Sequence, residues 1–339
     1  MASESGQETQ QAIRVHEFGP ESVLKLETVP VPEPGDNEVL VKVLAAGINP
    51  VDTYIRAGTY ARKPALPYTP GADAAGVVVR AGAAAAERFK AGDRVWLSGT
   101  RTGAYAQFCV AEAGQVVALP ARLSFAQGAA INVPYATAYR ALFLRGGARP
   151  GETVLVHGAS GGVGVAAVQL ATAQGLRVLG TAGTAEGLEL VREQGAAGAF
   201  DHTKEGYLEE VRAATGGRGV DLVLEMLADK NLAADVGVLA KGGRVMVIGS
   251  RGSVDFLPRG LMALEADVRG VALAHTTPED RRLIDAALSA GFFNGTLSPV
   301  ADASAPLPLE QAPRAHHDVL NTRRLGKLVL EPWAPGSSL

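Results

Sequence analysis

Beyond about residue 150 the chain alternates short apolar runs with stretches of helical period, and no other feature narrows the possible folds as much. The apolar runs fall near residues 153–156, 177–181, 198–201, 220–225, 244–248 and 268–273, and helical stretches lie between them at 163–174, 185–194, 206–215 and 231–240. A strand that is apolar along its whole length must be covered on both faces, and strands separated by helices are joined by crossovers into a parallel sheet. Six such strands predict a doubly wound α/β domain, in which ligands bind beyond the carboxyl ends of the strands.

The first run carries the chemistry. Thr153 to His157 read as a buried strand, and the chain passes directly into Gly158, Ala159, Ser160, Gly161, Gly162, Val163 and Gly164, then into a helix closed by Gly175. Strand, glycine turn and helix in that order make a phosphate cradle, because glycines let backbone N–H groups approach a pyrophosphate at the positive end of a helix. Against the usual G-x-G-x-x-G, Gly161 and Gly164 fill the second and third glycine positions while Ala159 stands at the first. About twenty residues further on, an NAD-specific fold carries an Asp or Glu for the ribose 2′-hydroxyl. Here that place reads Thr181, Ala182, Gly183, Thr184. A carboxylate would repel a 2′-phosphate, so its absence predicts NADPH over NADH. The nearest acid, Glu186, falls in the first turn of the next helix, where it favours the helix dipole. His202 ends the third run, placed either to donate to the phosphate or to stand as a neutral histidine at a strand end.

Residues 13–119 have a different texture: short β-rich runs at 39–44, 76–80, 93–97 and 105–110, broken by Pro, Gly, Asp and Asn, with no long amphipathic helix. This half predicts a compact β-barrel. After a helix at 279–290, a Pro-rich crossing through Pro299, Pro306 and Pro308 leads to a helix at 309–320 and a strand at 327–330, which return to the barrel and make the first domain discontinuous. A length of 339 residues accommodates two such domains.

Composition then removes whole classes of function. A net charge of −3 gives no global attraction to nucleic acid, and the small basic cluster of Arg323, Arg324 and Lys327 is of a kind that is usually a solvated face. The single cysteine, Cys109, excludes an internal disulfide and every zinc site built from several thiolates. His316 and His317 lack acidic or cysteine partners at ligand spacing and read as surface residues. No apolar stretch has the length of a bilayer span, so no membrane association is expected. Residues 1–10 lack the basic start and apolar centre of a secretory signal and read as a disordered tail on a cytoplasmic protein.

Several stretches carry a family resemblance: IRAGTY at 55–60, LPYTPG at 66–71, VLVHGASGGVG at 154–164, LGTAGT at 179–184, EMLA at 225–228 and GSRG at 249–252. Over residues 12–330 the chain resembles the zeta-crystallin type of NADPH:quinone oxidoreductase, the zinc-free branch of the medium-chain dehydrogenase/reductase superfamily. The resemblance implies a GroES-like β-barrel catalytic domain (11–130 and 298–339) and a Rossmann NADPH-binding domain (131–297). It assigns cofactor contacts to Tyr54, Ser160, Gly161, Gly162, Val163, Gly183, His202, Asn231, Ile248, Gly249, Ser250, Arg251, Val271, Ala272 and Leu273, and places Thr137 near the nicotinamide. Zinc-dependent relatives carry a catalytic Cys and a Gly-His-Glu motif where this chain has Ala46, Gly47, Ile48, Asn49, Pro50 and Gly71, Ala72, Asp73, and their four-Cys lobe is missing. No metal is therefore expected, and Asn49 and Tyr54 are the polar groups that would line the acceptor pocket. The implied activity is NADPH-dependent reduction of ortho- and para-quinones to semiquinones. Reduction of an enone or enoyl thioester shares every cofactor feature, and a third reading, AU-rich RNA binding or a structural role in the lens, is known of the same family. The resemblance also implies a homotetramer.

Overall fold

The computed structural model describes residues 8–302 and 306–333. They form two compact units: one runs to Val133 and resumes at Pro299, and the other is Pro134–Ser298.

The first unit is built from β1 (Thr9–Arg14), β2 (Lys25–Pro30), β3 (Glu38–Gly47), α1 (Pro50–Arg56), β4 (Asp73–Ala81), β5 (Arg94–Leu97), β6 (Phe108–Glu112), β7 (Val116–Ala118) and α2 (Phe125–Gly128), followed by α3 (Asn132–Tyr139). The first two strands pair with each other, while β3 lies between β4 and β6 in an antiparallel sheet extended by β5 and β7. Alternate residues of β3 (Val39, Val41 and Val43) enter a core with Val78, Val95, Leu97 and Cys109, as the period of two requires when one face of a sheet is buried. The strand expected at 105–110 is shifted to Phe108–Glu112, because Ala106 bridges to Ala12 and Tyr105 accepts from the Ile13 amide. Part of the stretch read as a tail is strand as well: Thr9 and Gln10 open β1, and residues 1–7 lie outside the described residues.

The second unit holds β8 (Thr153–Val156), α4 (Gly162–Ala173), β9 (Arg177–Ala182), α5 (Ala185–Glu193), β10 (Gly198–Asp201), α6 (Tyr207–Ala214), β11 (Val220–Glu225), α7 (Ala228–Asp235), β12 (Leu239–Val247), α8 (Arg259–Leu264), β13 (Asp267–Gly270) and α9 (Pro278–Asn294). All six strands are parallel in the order β10-β9-β8-β11-β12-β13. The order reverses between β8 and β11, and in doubly wound sheets that reversal opens a ligand crevice at the carboxyl ends. Every residue of β8 is buried, which is why its sequence shows no polar alternation.

Two boundaries differ from expectation. The helix placed at 231–240 is Ala228–Asp235, and β12 starts at Leu239 because Val220 pairs with Leu239 before the register slips to Leu222–Arg244 across a bulge containing Gly242 and Gly243. The strand placed at 268–273 ends at Gly270 and leads into a one-turn 3₁₀ segment, Leu273–His275.

Beyond Pro299 the chain adds β14 (Leu307–Pro308), α10 (Ala312–Asn321) and β15 (Val329–Glu331) to the first unit, β15 pairing with the end of β3. No helix among the described residues is long and apolar enough to cross a membrane.

Candidate active site

The glycine turn between β8 and α4 folds as a cradle. Gly158 takes a left-handed conformation (φ 57°), so the tight turn is made one residue before the position where Ala159 replaces the usual glycine. Ala159 is left free to be buried, and the turn is tied to β9 by Gly158 N donating to Thr181 Oγ1 (3.2 Å) and Ala159 N to Thr181 O (2.8 Å). Gly161 caps α4 without a side-chain acceptor, leaving first-turn N–H groups to an anion. At Gly164 a Cβ would stand 2.3 Å from Gly158 O and 2.5 Å from Ala159 Cα, so only glycine lets the helix sit this close to the turn.

Most of the residues expected to contact a cofactor gather at the carboxyl ends of the same sheet. Gly183 follows β9 directly, half-buried, and the next residue, Thr184, caps α5 by accepting from Gly187 N (3.0 Å). Glu186 lies exposed in the first turn of α5. His202, exposed after β10, has Nδ1 3.3 Å from Thr181 Oγ1. Past β12, Ile248 N and Gly249 N donate to Glu225 O, Ser250 Oγ to Gly252 O (3.0 Å), and Arg251 N to Asp229 Oδ1 (2.8 Å). Val271 and Ala272 follow β13 as loop rather than strand, and Leu273 opens the 3₁₀ segment. Asn231 sits inside α7, with Nδ2 donating to Glu225 Oε1 (3.1 Å). Thr137 is buried within α3, whereas Asn49 and Tyr54 belong to the first unit.

Sequence reasoning missed the ionisable cluster beneath this site. His157, at the end of β8, Glu225, at the end of β11, and Asp235, closing α7, are all buried, with His157 Nε2 2.8 Å from Asp235 Oδ1 and 3.6 Å from Glu225 Oε2. Glu225 Oε1 accepts from Leu227 N as well as from Asn231. Burial pushes both carboxyls up, each to about 7, although the neighbouring Glu225 carboxyl works the other way on Asp235. Burial also lowers His157, keeping it neutral. The three donor atoms lie within 4.8 Å of one another. Two ligands on one tetrahedral zinc stand about 3.3 Å apart at bond lengths of about 2.0–2.1 Å. The 2.8 Å spacing is instead that of a hydrogen bond. The signal available in the sequence was an acid, Glu225, closing an otherwise apolar buried strand.

The first unit holds a second buried polar network. Asp73 Oδ2 accepts from Lys327 Nζ and Asn49 Nδ2 (2.9 Å each), and Oδ1 from Asn132 Nδ2 (3.0 Å) and Val133 N (3.1 Å). Lys327 Nζ also donates to Asn49 Oδ1. Lys327 is 4% exposed, which corrects its assignment to a solvated basic cluster; of the other two members, Arg324 pairs with Asp318 (2.5 Å). Asn49 caps α1, where its N–H donates to Asp52 Oδ2 (2.9 Å), and its amide is turned inward to Asp73 and Lys327. Tyr54, half-buried on α1, accepts at its carbonyl from Thr59 N (3.0 Å).

His316 is corrected too. It is fully buried, with Nε2 3.3 Å from the Tyr105 hydroxyl and Nδ1 3.4 Å from Arg56 Nη1, and the Tyr105 hydroxyl donates to Asp52 Oδ2 (3.1 Å). Burial lowers His316 to about 3 and raises Asp52 to about 6, so the histidine is neutral while helix α1 is held from both ends. His317 is exposed, as expected.

Comparison with known proteins matches residues 35–121 to the alcohol dehydrogenase GroES-like domain and residues 162–289 to the zinc-binding dehydrogenase domain. The quinone oxidoreductase of Rattus norvegicus is 48% identical over 328 residues, covering 96% of this chain and 99% of that protein. The Escherichia coli quinone oxidoreductase, solved in complex with NADPH, superposes with a TM-score of 0.84 at 30% identity, covering 95% of this chain and all of that one. An NAD-dependent alcohol dehydrogenase superposes as well, with a TM-score of 0.86 at 30% identity over 95% of this chain and all of that one.

Proposed function

The chain belongs to the quinone oxidoreductase family of the medium-chain dehydrogenases/reductases, and from that premise we propose that it reduces quinones with NADPH and without a metal. The observation that carries the reading is the cradle at Gly158–Gly164 followed, at the end of β9, by Gly183 where an NAD-specific site would hold an acid. The backbone of Ser160, Gly161, Gly162 and Val163 would hold the pyrophosphate, and Gly183 leaves space for a 2′-phosphate within reach of His202. Asn231, Ile248 to Arg251, and Val271 to Leu273 would contact the rest of the cofactor, with Thr137 and Tyr54 assigned by resemblance. When bound, NADPH supplies two electrons to the acceptor. The protein's part is to fix the dinucleotide against a rigid sheet edge, which acts through proximity and orientation.

The zinc-binding relatives imply a metal, and the corresponding residues do not fit one. Zinc takes thiolate, imidazole or carboxylate donors. Here Asn49 presents an amide, Ala72 presents nothing, and the one carboxylate, Asp73, is engaged by four hydrogen bonds that include a lysine ammonium. An acceptor suited to this site needs little electrophilic activation, as ortho- and para-quinones do, with two quinones reduced to semiquinones for each NADPH oxidised to NADP+ and a proton.

Oxidation of NADPH, followed with panels of quinones, enones and primary alcohols and with product analysis, tests the reading. Turnover with quinones and none with alcohols supports it. Preferential turnover of enones would transfer the assignment to enone reduction.

A further inference from the structure

The buried cluster beneath the cradle joins the end of β9 to three of the loops that make the dinucleotide site. Hydrogen-bond contacts link His202 Nδ1 with Thr181 Oγ1 (3.3 Å), Thr181 Oγ1 with His157 Nδ1 (3.5 Å), and His157 Nε2 with Asp235 Oδ1 (2.8 Å). Thr181 also takes the Gly158 amide, and Glu225 takes the Leu227 amide and Asn231 Nδ2, so the end of β9 and the loops after β8, β10 and β11 all hang on it. Glu225 Oε2 and Asp235 Oδ2 receive no hydrogen bond from any donor group, although both residues are completely buried. Unsatisfied carboxylate oxygens in such a place are costly, and a proton held between the two carboxyls resolves the cost.

The same hydrogen bonds fix one amide. Because Asn231 Nδ2 is turned to Glu225 Oε1, its Oδ1 is directed away from the carboxyl and offers an acceptor. A nicotinamide dinucleotide presents matching donors at its ribose hydroxyls and carboxamide.

We propose that His157, Asp235 and Glu225 are positioning residues of the dinucleotide site: they hold Asn231 with its carbonyl oxygen toward a cofactor hydroxyl or amide, and cofactor affinity falls when their shared proton is lost. This rests on reading the sheet edge as an NADPH site. With the proton in place the cluster carries a single negative charge, since His157 is neutral. Without it, two buried carboxylates lie under the loops that would hold the cofactor's phosphates, and they repel one another as well as the ligand. The groups facing the cluster are Tyr207 of α6, its ring edge-on to His157, and His202 with Thr181 at the ends of β10 and β9; Asn231 shares α7 with Asp235. Tyr207 is pushed up to about 12 and does not titrate near neutrality.

The test is the dissociation constant of NADPH, by fluorescence titration of the full chain, at pH values from about 6 to about 8.5. Parent protein is expected to lose roughly five- to tenfold in affinity across this range beyond the change owed to the cofactor's own phosphate, which titrates near pH 6. Glu225→Gln cannot ionise and should flatten the profile, and Asn231→Ala should weaken binding at every pH. If Glu225→Gln fails to fold, Asp235→Asn carries the same comparison. Parent and Glu225→Gln profiles of equal slope would overturn the proposal while leaving the NADPH site standing. A parent that binds no dinucleotide at any pH would overturn the site and the proposal together.

Discussion

Replacing Lys327 by methionine should expose how the first unit is held around Asp73. Methionine matches the stem of the lysine and removes the charge, leaving the fully buried Asp73 carboxylate with Asn49, Asn132 and Val133 as donors but no cation. Breaking a buried pair by deleting one partner costs about 3–5 kcal/mol, because the remaining charge is desolvated and uncompensated. At roughly 2–4 °C per kcal/mol for a domain of this size, the first unit should melt about 6–20 °C earlier. Asp73→Asn should also destabilise, since it strands the lysine. The double variant removes both charges and should recover much of the loss, giving a coupling of about 2–3 kcal/mol in a denaturant-unfolding cycle. Effects that simply add, with a coupling below about 0.5 kcal/mol, would show that the pair is not the element described.

Three further outcomes follow. Gly164→Val should weaken NADPH binding by roughly tenfold or more in fluorescence titration, because its Cβ alone would lie 2.3 Å from Gly158 O; parent-like affinity would mean the phosphate cradle is elsewhere. Gly183→Asp should shift the ratio of NADPH to NADH affinity toward NADH by roughly tenfold, about 1–3 kcal/mol of charge repulsion, and less at high salt; an unchanged ratio refutes the placement of the 2′-phosphate. Because the folded state raises Glu225 from 4.5 to about 7, it binds more protons than the unfolded state between those values. Stability should therefore be fullest below about pH 4.5 as far as this group is concerned and fall as pH rises toward 7, by on the order of 2–3 kcal/mol. Thermal melts of Glu225→Gln should lack that part of the slope, and parallel slopes would contradict it.

The sheet of the second unit was legible because burial on both faces leaves contiguous apolar runs, and the runs at 153–156, 198–201 and 220–225 match their strands residue for residue. The bulge at Gly242–Gly243 hid the start of β12, since a glycine pair between apolar residues reads equally well as a turn before a strand. What local pattern could not reveal were the buried polar partners. Lys327 finds Asp73 across 254 residues of chain and His316 finds Tyr105 across 211, so neighbours in sequence say nothing of either contact. Each residue looks like surface until the antiparallel return of β15 along β3 and the packing of α10 close the core over it. The candidate site divides in the same way: the glycines and the loop residues at the strand ends announced themselves, while His157, Glu225 and Asp235 meet only through the fold.

Quinone-dependent oxidation of NADPH by protein dialysed against chelator, run beside NADH and with metal content measured on the same sample, tests the central claim most directly. Full turnover with NADPH is expected in protein lacking stoichiometric zinc, and much weaker turnover with NADH. Activity that disappears with a bound zinc and returns on its addition, or a preference for NADH, would contradict it.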